Sequence, residues 1–199
     1  NAVNKGTTLE NIVGACCAFK EAGILVHSYM IYGFWNQSEQ DLIDSMETLR
    51  QFFAAGLLDS AFWHKFTLTK HSTVYKEWEQ GKHPDLKPVF SAKDSFAENE
   101  VQFEGENESE KYGNALNVAL ENWMNGEKIN IPVKDWFDFK MPEPSIKKNF
   151  IDTLIKKYEN NRDLQFSENS PESRYIWLGG KPFLVNSKNG KQLCWSYMG

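Results

Sequence analysis

The sequence predicts an α/β fold at its amino-terminal end and an α+β module at its carboxy-terminal end. Three observations carry this expectation. Over residues 7–69, two capped amphipathic helix patterns alternate with two largely apolar or aromatic stretches, as in a parallel sheet covered on both faces. Residues 76–111 lose all sustained periodicity. Residues 112–199 return to two helix patterns followed by short strand patterns with Gly-Gly and Asn-Gly turns, a small antiparallel β-meander. The expected domains are therefore 1–75, a long acidic connection over 76–111, and a helical plus β-meander module over 112–199. Two helices followed by such a sheet have the outline of a winged helix, by analogy of shape alone.

The first helix starts at a capping-box pattern, Thr7-Thr8-Leu9-Glu10, in which a hydroxyl and a carboxylate satisfy free amides. Leu9, Ile12, Val13, Cys16 and Phe19 recur at helical spacing, and Gly23 supplies a left-handed terminator. Ile24 to Tyr32 then reads as a strand buried on both faces. After a loop over Gly33 to Gln37, Ser38 and Asp41 cap a second helix with Leu42, Ile43, Met46, Leu49, Phe52 and Phe53 inward. Gly56 closes it. A second strand is expected from Ser60 to Thr69, with Lys70 to Tyr75 leaving its end. One parallel pair is not a whole sheet, so further strands are missing or come from a neighbour.

Mixed charge, Gly and Pro over Lys76 to Lys111 predict a surface connection, partly mobile at Glu104 to Glu110. Tyr112 to Met124 reads as a helix that Gly126 ends, and Pro142 and Pro144 precede another from Ser145 to Tyr158. Tyr175–Leu178, Pro182–Val185 and Lys191–Tyr197 are the expected strands, turned at Gly179-Gly180 and Asn189-Gly190. Trp123, Trp136, Trp177 and Trp195 are spread across this module and read as its core.

With 199 residues and 41 % hydrophobic content, the chain can bury one sizeable core or two small ones. No apolar run has bilayer-spanning length and no secretory leader pattern opens the chain, so no membrane partner and a cytoplasmic location are expected. A net charge of -5 argues against a nucleic-acid partner, which needs a basic footprint. Asn1-Ala2 reads as the remnant of an expression tag on a piece of a longer protein. Three cysteines, two of them adjacent at Cys16-Cys17 and the third at Cys194, give neither a disulfide framework nor metal-ligand spacing. The run from Glu104 to Glu110 lacks any calcium-loop spacing and reads as a solvated loop.

The stretches Asn4-Lys5-Gly6-Thr7-Thr8 and Gly23 to Phe34 resemble the latter half of radical S-adenosylmethionine (radical SAM) barrels. The likeness is closest to members that carry an upstream cobalamin-binding domain. In that family an NKG-type turn follows the fourth strand, and a loop of the type Gly-Phe-Pro-x-x-Thr-Glu-x-Asp follows the fifth. Here that loop reads Gly33-Phe34-Trp35-Asn36-Gln37-Ser38-Glu39-Gln40-Asp41, with Trp35 in place of the proline. Ser60 to Thr69 and the exit His71-Ser72-Thr73-Val74-Tyr75 are similar to the last barrel strand and its loop. Tyr112-Gly113, Trp123 to Gly126 and Trp177 to Pro182 are similar to the tail of the subgroup.

The resemblance implies that residues 1–75 are two helix–strand units of a partial TIM-like barrel. The family's CxxxCxxC motif, which holds a [4Fe–4S] cluster, follows the first barrel strand and has no counterpart here. The parent would thus bind [4Fe–4S] and S-adenosylmethionine, and cobalamin where the upstream domain is present, while this piece holds no cofactor and no metal. Its expected partners are the missing amino-terminal part and, through the exposed barrel edge, a second copy of itself.

The family pattern implies cofactor-side roles for three residues: Ile31 packing on adenine, Gly33 letting the backbone approach, and Asn36 as the polar group after it. Ile31 also reads as plain core and Gly33 as a turn residue. His71, Ser72 and Thr73 leave the carboxyl end of the last strand, where parallel barrels place ligand loops; a capped turn is the alternative. For the substrate channel the candidates are His27, Tyr29, His64, Lys65 and Thr67. Lys65, Thr67 and Thr69 alternate as a polar set facing the lumen, which sends Phe62, Phe66 and Leu68 outward and leaves His64 without a natural place. The implied function of the parent is reductive cleavage of S-adenosylmethionine to a 5′-deoxyadenosyl radical, with no catalytic residue in this inactive piece. The alternatives are a non-catalytic partner- or substrate-binding module on an α/β scaffold, or a metal-free α/β domain.

Overall fold

A computed structural model describes residues 6–90, 99–167, 182–187 and 190–195. The chain divides into two compact units, residues 1–160 and 161–199.

In the first unit, α1 (Leu9–Glu21), β1 (His27–Tyr32), α2 (Glu39–Ala54) and β2 (Ser60–Lys65) follow in turn. β1 and β2 pair in parallel, from His27 opposite Ser60 to Tyr32 opposite Lys65. Local chemistry sets the helix starts. Thr8 Oγ1 accepts from the Asn11 amide, and Ser38 with Asp41 forms a reciprocal capping box. Asp59 fastens the strand starts, accepting from the Val26 amide at 2.7 Å and from Lys20 Nζ at 2.9 Å.

Two strand boundaries differ from expectation. β1 begins at His27, because Gly23 has φ +72 and the Ile24 amide donates back to Phe19 O, which makes Ile24 part of the helix ending. β2 stops at Lys65. The Phe66 amide still reaches Tyr32 O, but Leu68–Thr69 form a separate strand, β3, that runs antiparallel to β5 (Glu100–Phe103). Burial of Leu68 against Leu86, Val101 and Phe103 turns the chain there.

The expected unstructured connection is instead a small layer of its own. It contains α3 (Thr73–Glu79), β4 (Pro88–Val89) and β5, with strand order β3-β5-β4. Trp35, Phe66, Val74, Tyr75 and Trp78 pack on its core. Glu106–Ser109 form a 3₁₀ turn that runs into α4 (Glu110–Met124), where a surface loop was expected.

α1, α2, α4 and the start of α5 (Phe150–Ser167) share one core with the inner face of the sheet. Val13, Ile43, Met46, Leu116 and Ile151 are fully buried within it. Trp123 is buried there too, edge-on to Trp136. α5 starts five residues after the expected Ser145, because Ser145 is bonded through its amide and hydroxyl to Asp44. Gln51 completes the docking: its amide nitrogen donates to Glu47 and Lys147 O, and its oxygen accepts from the Ile151 amide.

The second unit holds the end of α5 and a hairpin of β6 (Pro182–Ser187) and β7 (Gly190–Trp195), antiparallel with Pro182 opposite Trp195. The expected strand Tyr175–Leu178, the Gly179-Gly180 turn, Trp177, Asn189 and the Asn4-Lys5 turn lie outside the described residues.

Candidate functional site

The two faces of the β1–β2 sheet are chemically different. Val26 just before β1, Met30 and Tyr32 of β1, and Ala61 and Trp63 of β2 pack in the helix-covered core. His27, Tyr29, Ile31, Phe62 and His64 form the opposite face and are exposed, Tyr29 at 68 %. The cause is one-sided packing: α1, α2 and α4 all join the core on the Tyr32 and Trp63 side. Two-face burial, expected of these strands, is therefore met on one face among the described residues.

The exposed face is a ladder of rings. Tyr29 stacks on His64 at 5.3 Å and meets His27 edge-on at 4.6 Å, while Phe62 lies 4.5 Å from His64. His27 Nδ1 and Ser60 Oγ are 2.7 Å apart. Among the described residues no Asp, Glu, Lys or Arg belongs to this ladder, so it can take a flat, uncharged group by stacking and dispersion.

Phe62 and His64 stand where the polar set of the last strand was expected. Lys65 is on the other face, because parallel register puts it opposite Tyr32 and α4 covers that side. Its Nζ sits 3.0 Å from Glu110 and 3.7 Å from Glu106. Burial is the main cause that raises the Tyr32 phenol above its ordinary range; Lys65 opposes that shift and Glu110 adds to it. Thr67 is exposed between β2 and β3. Of the channel candidates, the structure brings together His27, Tyr29 and His64, and separates Lys65 and Thr67 from them.

At the carboxyl end of the strands, Gly33 has φ +82, and its amide donates to Gln37 Oε1 at 2.7 Å. A Cβ there would lie 2.7 Å from Ser109 Oγ and 3.0 Å from Ser109 Cβ. The close approach that this glycine permits is thus made by the chain's own 3₁₀ turn. Gly113 has the same function on α4, where a Cβ would meet the Tyr32 hydroxyl at 2.8 Å. Phe34, Trp35, Phe66 and Phe103 pack as a ring cluster beside this contact. Ser109 was not anticipated from the sequence, and Gly33 was the one signal of its contact.

The remaining candidates are elsewhere. Asn36 is exposed in the loop before α2, and Ile31 is on the ring-bearing face. His71 is exposed. Ser72 caps α3, its Oγ accepting from the Tyr75 amide and donating to Thr69 O, and Thr73 is the first residue of that helix. The His71–Thr73 segment is therefore the capped turn.

The two described cysteines do not fit an iron–sulfur cluster. Cys16 and Cys17 are buried neighbours on α1, and burial pushes both thiols up, against the thiolate that ligation needs. Among the described residues no group of three or more His, Cys, Asp or Glu side chains is placed to hold a metal ion. No helix among them is long and apolar enough to cross a membrane.

No family model, no curated protein and no solved structure matches the sequence.

Proposed function

We propose that this chain is the carboxy-terminal part of a radical SAM enzyme and supplies one wall of a barrel that a longer parent completes. One observation carries the reading. β1 and β2 are parallel and in register, helix-covered on one face, and present His27, Tyr29, Ile31, Phe62 and His64 on the other. Barrel strands show this polarity between their helical jacket and their lumen. On this reading the parent binds [4Fe–4S] and S-adenosylmethionine, and cobalamin where an upstream domain carries it. There the reduced cluster would supply the one electron that cleaves S-adenosylmethionine to methionine and a 5′-deoxyadenosyl radical. On the same reading the isolated chain, whose sequence has no CxxxCxxC motif, does not perform that step.

The chain's own contribution is the wall. Ile31 is the candidate for adenine contact, and His27, Tyr29 and His64 are the candidates for the substrate channel. Lys65, Thr67 and His71 to Thr73 serve the fold around it. The missing amino-terminal part is the required partner, and the cytoplasm is the proposed location.

The test is Ile31→Asp in the full-length protein. A carboxylate on the wall should abolish 5′-deoxyadenosine formation while leaving the cluster absorbance intact; wild-type turnover would remove the adenine-side role. A non-catalytic binding module on the same scaffold is favoured by one feature, the seating of Ser109 over Gly33 where a ligand backbone contact was expected. That reading predicts a full-length sequence without a CxxxCxxC motif.

A further inference from the structure

The ring-bearing face ends at an open strand edge. Among the described residues β1 pairs with β2 alone. The carbonyls of Val26 and Tyr32 turn toward β2, accepting from the Ser60 and Phe66 amides. By strand alternation, His27, Tyr29 and Ile31 point their N–H and C=O groups away from β2. None of these residues, nor Ser28 or Met30 between them, is one of the usual edge guards, a lysine, a proline or another charged side chain.

The surface beside that edge is apolar. Ile24, Leu25, Tyr29, Ile31 and Phe62 are exposed by 36 % to 79 %. Together they present on the order of 600 Å², the upper end of what a monomer normally leaves open and most of the roughly 800 Å² that each partner buries in a standard interface. Phe19 and Ile12 of α1, exposed at 46 % and 39 %, add further apolar surface. Parallel sheets are normally covered on both faces, whereas among the described residues this one is helix-covered on its inner face alone.

We infer that, in the 199-residue chain, a second copy of the chain covers this edge. Two copies of one strand related by a two-fold axis run antiparallel. The outward groups of His27, Tyr29 and Ile31 then place Tyr29 opposite Tyr29 of the second copy, and His27 opposite Ile31 of the second copy. The product is a four-stranded sheet with the two β2 strands outermost. The uncharged face lets two copies meet without like-charge repulsion despite the net charge of -5 on each. The inference rests on the open edge and not on the enzymatic reading, which concerns the longer parent.

Sedimentation equilibrium of the 199-residue chain over the micromolar range tests it, together with Tyr29→Pro and Tyr29→Lys. Proline at 29 removes an outward N–H and leaves the ladder to β2 intact, as proline on an edge strand does. Lysine adds a charge to the edge without removing a donor. The wild-type chain should sediment as a dimer, and each variant should associate at least about tenfold more weakly with an unchanged far-UV spectrum. If Tyr29→Pro unfolds the strand, Tyr29→Lys alone decides. A monomeric wild type, or a dimer that Tyr29→Lys leaves unchanged, overturns the inference and leaves the enzymatic reading untouched.

Discussion

Substituting Gly33 by alanine should cost the first unit about 3 kcal/mol, and the structure separates two sources of that cost. The backbone at Gly33 has φ +82, a region that carries a penalty of about 1 kcal/mol for an L-residue. The new methyl group would also lie 2.7 Å from Ser109 Oγ and 3.0 Å from its Cβ. Ser109 is buried and its hydroxyl is engaged with Glu106 O, so it cannot simply swing away. Overpacking of this kind costs about 2 kcal/mol. Gly56 is the natural control, with φ +66 and no atom within 4 Å of the position a methyl group would take. Gly56→Ala should therefore show the backbone cost alone, about 1 kcal/mol. Urea unfolding followed by tryptophan fluorescence, compared at equal m-values, measures both. Adding Ser109→Ala to Gly33→Ala should restore about 1 kcal/mol, since it removes the nearer of the two clashing atoms. Equal costs for Gly33→Ala and Gly56→Ala would refute the seating of the 3₁₀ turn on the strand end.

Gln51→Leu should destabilise by about 2 to 4 kcal/mol in the same assay, because it strands the Ile151 amide and Lys147 O that the side chain now satisfies. Acid should weaken the fold through Asp59 and Asp41. The Val26 amide, then Lys20, hold Asp59 below the ordinary carboxylate range, and the Ser38 hydroxyl and amide do the same for Asp41. Their contribution is present above the unfolded value near pH 4 and is lost as pH falls through the lowered folded values. Thermal melts between pH 7 and pH 2 should show a stability loss in that acid limb that Asp59→Asn and Asp41→Asn make shallower; identical limbs would count against both contacts. Cys16 and Cys17, raised by burial, should alkylate at least about tenfold more slowly than a free thiol at pH 8, read by mass spectrometry of each peptide.

The helix–strand–helix–strand order over residues 9–65 was readable because its signals are local. Thr8, Ser38 and Asp41 announce helix starts, and Gly23 and Gly56 announce ends within a few residues of the groups they serve. The β3-β5-β4 layer was not readable, since strands of two residues carry no period and Leu68 meets Val101 only through the fold. Choosing the face of β2 failed for a related reason. Phe62 and His64 alternate with Trp63 and Lys65, so polarity alone cannot orient the strand, and the helix that decides it, α4, comes more than forty residues later. The face of β1 was legible as a set, His27, Tyr29 and Ile31 together, but its exposure was not, because exposure depends on what else packs there. The Ser109 contact and the Gln51 network join residues far apart in sequence and left no periodic trace.

Anaerobic reconstitution with iron and sulfide of the full-length protein and of the 199-residue chain in parallel, followed by quantification of 5′-deoxyadenosine from S-adenosylmethionine under reduction, decides whether the enzymatic reading holds. The full-length protein should show a [4Fe–4S] absorbance band and form 5′-deoxyadenosine, and the chain should do neither, its described cysteines being an adjacent buried pair on one helix. Stoichiometric cluster uptake by the chain, or a full-length protein that takes up no cluster and forms no 5′-deoxyadenosine, would contradict it.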